Sequence, residues 1–211
     1  MSIFGNLFGP GRKDVWNQLA QELQAEYDEG GFLEKESFRY QYKDWELVLD
    51  LHDMEQTYAS EDTTGQHYTT YTRLRAPFYN PLNLHFRITH EGFFTPIGKF
   101  LGMQDIQIGY PHFDKRFLIK GNHEGKIQEL FQDENLQDLL HKYEFSELIV
   151  LKDSGWFSRS YPEHVNVLSF DHAGVIKDMP TLKNMFATLE ALLDRMVEIE
   201  VAAPDKPDFT L

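Results

Sequence analysis

The sequence predicts an α+β fold: an antiparallel sheet of six or more strands (a meander plus a hairpin), helices packed on one face, and a long C-terminal helix. Three observations carry that expectation. The apolar period changes from about four residues to two near Phe38. Turn residues then punctuate a series of alternating runs. Near the end, Leu182, Met185, Phe186, Leu189, Leu192, Leu193 and Met196 recur at helical spacing.

The first helix is signed by Asp14 as cap, by Val15, Leu19, Leu23 and Tyr27 on one stripe, and by Gly30-Gly31 as its stop. Phe38, Tyr40 and Tyr42 then alternate with Arg39, Gln41 and Lys43. A tight Lys43-Asp44 turn predicts that Tyr42 pairs with Trp45 and Tyr40 with Leu47, so that both apolar rows share a face. The polar stretch from Asp53 to Gln66 reads as a loop. A third strand follows, with Tyr71, Arg73 and Arg75 on its polar side, and after Asn80-Pro81 a fourth, with Asn83, His85, Arg87 and Thr89 on its polar side.

Thr95 and Pro96 suggest a short helix start. A strand is expected near Arg116–Lys120, with Gly121 ending it and Asn122 capping a helix to Phe131. A further helix, Glu134–Tyr143, is capped by Asp133. Strands near Phe145–Lys152 and His164–Asp171 predict a second hairpin around an aromatic loop at Trp156 and Phe157. The last helix is expected from Pro180 to Ile199. Residues 14–200 thus read as a single α+β domain, between an N-terminal apolar tip (1–13) and a flexible tail (201–211).

Composition narrows the function classes. The chain of 211 residues holds 34 Asp and Glu against 20 Lys and Arg, a net charge of −14, which repels nucleic acid backbones. It has no cysteine, so disulfides, thiolate metal sites and cysteine nucleophiles are excluded. No run approaches the ~20 apolar residues of a transmembrane helix. Ser2 stands where N-myristoylation requires glycine. The expectation is a cytoplasmic protein, although Ile3, Phe4, Leu7 and Phe8 make a greasy tip.

Several motifs imitate chemistry and fail on spacing. Phe117–Lys126 (F-L-I-K-G-N-H-E-G-K) has the outline of a phosphate loop, but it is one spacer short and Ile127 replaces the Ser or Thr that would hold magnesium. Asp153-Ser154-Gly155 occurs once, whereas an aspartic protease needs two such carboxylates, and the tripeptide is ordinary turn chemistry. G-x-S-x-G, G-x-G-x-x-G and H-E-x-x-H are absent.

What remains is the polar side of the sheet. If the third and fourth strands pair, Tyr71, Arg73, Arg75, His85 and Arg87 lie together, and guanidiniums can hold a carboxylate or phosphate bidentately. The leading expectation is a non-catalytic binding or interaction protein with a small anionic ligand or an acidic peptide on this face. No cofactor, catalytic residue or resident metal is expected with it. The alternative is a metal-assisted hydrolase using Asp50, His52 and His85. A third possibility is a partner in a larger assembly, docking through the apolar tip or the Trp156 loop.

The segments T-R-L-R-A-P-F, G-M-Q-D-I-Q-I-G, F-D-K-R-F-L-I-K-G and G-V-I-K-D resemble those of an uncharacterised family of bacterial proteins, a domain of unknown function. The likeness runs from the first helix to the last. It implies a bacterial, single-unit chain and brings no activity, cofactor or site residue. It also implies that F-D-K-R-F-L-I-K-G is structural.

Overall fold

In the computed structural model the residues described are 11–31, 36–60, 63–91, 103–152 and 161–211. The expected apolar tip at Ile3–Phe8, the helix start at Thr95-Pro96, the Asp153-Ser154-Gly155 turn and the Trp156 loop lie outside them. The elements are α1 (Arg12–Leu23), β1 (Glu26–Asp28), β2 (Ser37–Tyr42), β3 (Trp45–Ser60), β4 (Thr63–Tyr79), β5 (Phe86–His90), β6 (Gln104–Ile106), α2 (Pro111–Arg116), β7 (Phe117–Gly121), α3 (Glu124–Phe131), α4 (Glu134–His141), β8 (Glu147–Leu151), β9 (Val165–Ala173) and α5 (Met179–Glu198). All the strands join one antiparallel sheet in the order β1-β2-β3-β4-β9-β8-β5-β7-β6.

Alternation places the core as expected. Phe38, Leu47, Leu49, Leu74, Ala76, Phe78, Phe86 and Ile88 point to one face and are buried there. On that face the apolar stripe of α5 meets Trp16 and Leu19 of α1 in one cluster, with Phe186 ringed by Phe38 and Tyr40 at 5.6 and 5.7 Å. The Trp16 indole N–H donates to the Ile176 carbonyl at 3.2 Å, which ties α1 to the approach to α5. The two-residue turn sets Tyr42 opposite Trp45 and Tyr40 opposite Leu47, the register its length dictates. Asp133 and Asp178 cap α4 and α5 through the amides of Leu136 and Thr181.

Five expectations are corrected. First, α1 stops at Leu23, and Tyr27 belongs to β1 opposite Phe38. Gln24 turns left-handed at φ 55° and Ala25 N–H reaches back to the Ala20 carbonyl, so the helix closes before Tyr27 packs beside Trp16. Asp14 is not the cap but sits in the first turn, where its carboxylate accepts the Gly11 N–H at 2.9 Å. Second, the supposed loop after Asp53 is strand: β3 and β4 stay paired to Ser60 and Thr63. Asp53, Met54 and Glu55 on one strand and Gln66, His67 and Tyr68 on the other are exposed on both sides of the ribbon, so these residues gave no alternation to read.

Third, β5 does not pair with β4, because β9 and β8 lie between them. The Asn80 side chain explains the detour. Its oxygen accepts the Leu84 N–H at 2.9 Å, while its amide donates to the Leu84 carbonyl and to Asn166 of β9 at 2.8 and 2.9 Å. The segment after β4 is thereby folded into a buried polar knot across the end of β9, not into a hairpin. Fourth, Asn122 is no helix cap: it accepts from the His85 N–H and donates to the Asn83 carbonyl, clamping the entry to β5.

Fifth, residues 201–211, expected as a flexible tail, are docked. Glu200 turns left-handed at φ 59°, Val201 and Ala202 are buried, and the Ala203 N–H donates to the Tyr79 carbonyl at 3.1 Å. The chain then crosses the sheet face away from the helices.

Candidate functional site

That outer face carries the charges, and register assembles them. Asp50 of β3 stands opposite Arg73 of β4, Arg73 opposite Asp171 of β9, and Asp171 opposite Glu147 of β8. One step along, Arg75 lies opposite Ser169, Ser169 opposite Ile149, and Ile149 opposite Arg87 of β5. Each of these residues alternates with a buried core residue, so the pleat alone turns them outward.

The cations are engaged. Arg73 grips Asp50 with two bonds, Nε to Oδ1 at 2.9 Å and Nη2 to Oδ2 at 3.0 Å, while Arg75 Nη2 adds a third at 2.5 Å. Arg87 pairs with Glu147. The three arginine side chains are only 19%, 16% and 11% exposed, well below what an open sheet face allows a long cation. Burial works against the charge on both β4 guanidiniums; at Arg73 the bonds to Asp50 outweigh it, and at Arg75 burial wins.

Asp171 is the group in tension. Burial pushes its carboxyl up to about 6, helped by the negative charges of Glu147 and Asp50 and opposed by a 2.6 Å bond from the Ser169 hydroxyl and by Arg73. Tyr71 sits beside it, its hydroxyl raised by burial and by the charges of Asp171 and Glu147. The backbone bridge between Tyr71 and Gly174 holds that end of β4 in place. Asp171, Ser169 and Glu147 are the site residues that sequence reading missed. The Ser169-Phe170-Asp171 alternation was visible, but nothing local placed β9 beside β4.

Of the expected set, Tyr71, Arg73 and Arg75 are brought together, and Arg87 joins them across two interposed strands. His85 is set apart. It is buried at the end of the sheet, bonded to Asn83 at 3.0 Å and to the main chain of Val150, and burial lowers its pKa. Its partner Asn83, not His85 itself, lines a cleft of about 280 Å³ together with Lys152, Tyr161 and His164.

The metal site does not form. Asp50 is taken by two arginines, and His85 lies four strand spacings from His52, about 19 Å. Among the described residues no three His, Asp or Glu side chains are placed to hold an ion. The phosphate-loop outline is also structural. A Cβ on Gly121 would come within 2.2 Å of Ile127 and 2.9 Å of the His85 carbonyl, and that same carbonyl takes the Asn122 N–H. Ile127 is buried in the core.

No family model matches the chain, and no curated protein sequence matches it. A solved structure, that of the mycobacterial trehalose monomycolate transport factor A, TtfA, is similar over 88% of this chain and 92% of its own, with a TM-score of 0.48 and 10% identity. Among the described residues no helix is long and apolar enough to cross a membrane.

Proposed function

We propose that the chain is a non-catalytic binding protein of the cytoplasm, a member of the bacterial family its four segments resemble, and that it takes an acidic peptide on the outer sheet face around Tyr71, Arg73, Arg75 and Arg87. The observation that carries this reading is the half-buried ladder of three arginines against Asp50, Glu147 and Asp171. Buried charge persists only where it is compensated, and here the compensation is variable. With Asp171 ionised the ladder is neutral; with Asp171 protonated it carries a net positive charge.

An extended acidic peptide suits this face better than a compact anion, which would have to unseat the bidentate Asp50–Arg73 pair to be held. Carboxylates arriving above the ladder meet guanidiniums whose countercharge weakens as pH falls through about 6. Ligand carboxylates, with ordinary pKa values near 4, remain ionised through that window.

The test is fluorescence anisotropy of a labelled polyglutamate peptide with the full chain. Binding should tighten from about pH 7.5 to about pH 5.5 as Asp171 takes up its proton. Arg73→Ala combined with Arg87→Ala should abolish it, and unchanged affinity in that double variant would remove this face from consideration. Citrate as a competitor tells a small-anion site from a peptide site.

A further inference from the structure

The residues that follow α5 already occupy part of this face. After the turn at Glu200 the chain meets the end of β4, where Tyr79 holds it twice: its carbonyl accepts the Ala203 N–H at 3.1 Å and its hydroxyl accepts the Asp208 N–H at 3.3 Å. Pro207 is buried between these points. Phe209 rests on the ring of Tyr161 at 5.1 Å, tilted by 58°. At the far side Arg39 of β2, while paired with Glu46, donates through Nη2 to the main-chain oxygen of Leu211 at 2.8 Å.

Tyr79 and Arg39 alternate with the core residues Phe78 and Phe38, so both belong to the outer face. Tyr161 links the tail to the ladder, since its hydroxyl lies within electrostatic range of Arg73 and Arg75. The segment A-P-D-K-P-D-F-T-L thus runs over β4 and β3 to β2, held by main-chain bonds at both ends and one aromatic contact between them. Main-chain capture at the ends with a side-chain anchor between is how extended peptides are recognised. Two prolines stiffen the segment and lower the entropy lost on docking.

We infer that residues 203–211 act as an internal ligand: they fill a peptide groove, formed by Tyr79, Tyr161 and Arg39, that accepts from a partner an extended, proline-containing acidic segment with an aromatic residue two positions before the main-chain oxygen that Arg39 holds. This rests on the acidic-peptide reading above and adds to it the partner's pattern and a built-in competitor. While docked, the tail reduces the affinity seen by an outside peptide in proportion to the fraction of molecules whose groove is free.

The experiment uses the full chain and a labelled synthetic peptide of residues 203–211. Phe209→Ala in the protein removes the anchor of its own tail. The peptide should then bind this variant up to about tenfold more tightly than the wild type, the full gain expected if the wild-type tail is docked about nine-tenths of the time. Adding Arg39→Ala to the Phe209→Ala protein should reverse the gain, as should replacing phenylalanine by alanine in the peptide. Thermal melts confirm that each variant folds, and Phe209→Leu, which keeps an apolar anchor, gives an intermediate affinity. Equal binding to wild type and Phe209→Ala, or no binding to either, overturns the inference. If polyglutamate still binds through Arg73 and Arg87 in that case, the wider reading stands without the tail; if neither probe binds, both fall.

Discussion

The two faces of the sheet are built from the same strands and held by opposite means. On the helical side Phe38, Leu49, Leu74 and Phe170 meet α1 and α5 in a continuous apolar cluster, where each methylene removed from water adds about 0.8 kcal/mol. On the other side the same strands present Asp50, Arg73, Arg75, Asp171 and Glu147, and cohesion comes from charge pairing close to balance. Apolar burial tolerates small changes of geometry because it has no direction. A ladder of charges does not, because each member depends on its neighbour being ionised and in place.

The largest effect that separates the faces is a core truncation. Phe186→Ala empties a site ringed by Phe38 and Tyr40, and chemical denaturation should show a loss of about 3–5 kcal/mol. Next is Asp171. Its folded pKa of about 6 lies above the ordinary 3.8, so the folded chain binds the extra proton. That contribution is whole below about pH 4, falls away as pH rises through 6, and amounts to about 3 kcal/mol in all. Asp171→Asn should remove this slope from the pH dependence of unfolding; a slope unchanged in the variant would assign it to another group.

Smaller still is Asp50→Ala, which strands two half-buried guanidiniums. Allowing for solvent screening, about 1–3 kcal/mol should be lost. A double-mutant cycle of Asp50 with Arg73 should return a coupling well above that of the exposed Lys13–Glu29 pair, which solvent screens. Equal couplings would mean that the ladder is no tighter than ordinary surface charge.

Much of the helical face was legible in the sequence. The period of α5, the Asp133 cap and the Tyr42–Trp45 register are local signals, and each holds. The outer face was legible only by halves. Alternation sorted Arg73, Arg75 and Arg87 to the correct side, but their neighbours depend on which strands lie between β4 and β5, a question settled by Asn80 and Asn166, 86 positions apart. The tail was misread for the same reason. Its contacts at Tyr79, Tyr161 and Arg39 are all distant in sequence, and two prolines with no period look like slack.

The β3–β4 hairpin outruns its support: β2 leaves β3 after Leu49, and β9 leaves β4 at Thr72, while the two strands continue to Ser60 and Thr63. Beyond those points, apart from the Gly174 bridge beside Thr70 and Thr72, no other named strand pairs with either one, so the ribbon contributes little to the global free energy of unfolding. One strand therefore contains two regimes of solvent exchange. Amides near Leu47 and Leu74 wait for the whole molecule to open, whereas those near Glu55 and Tyr68 exchange through local fraying.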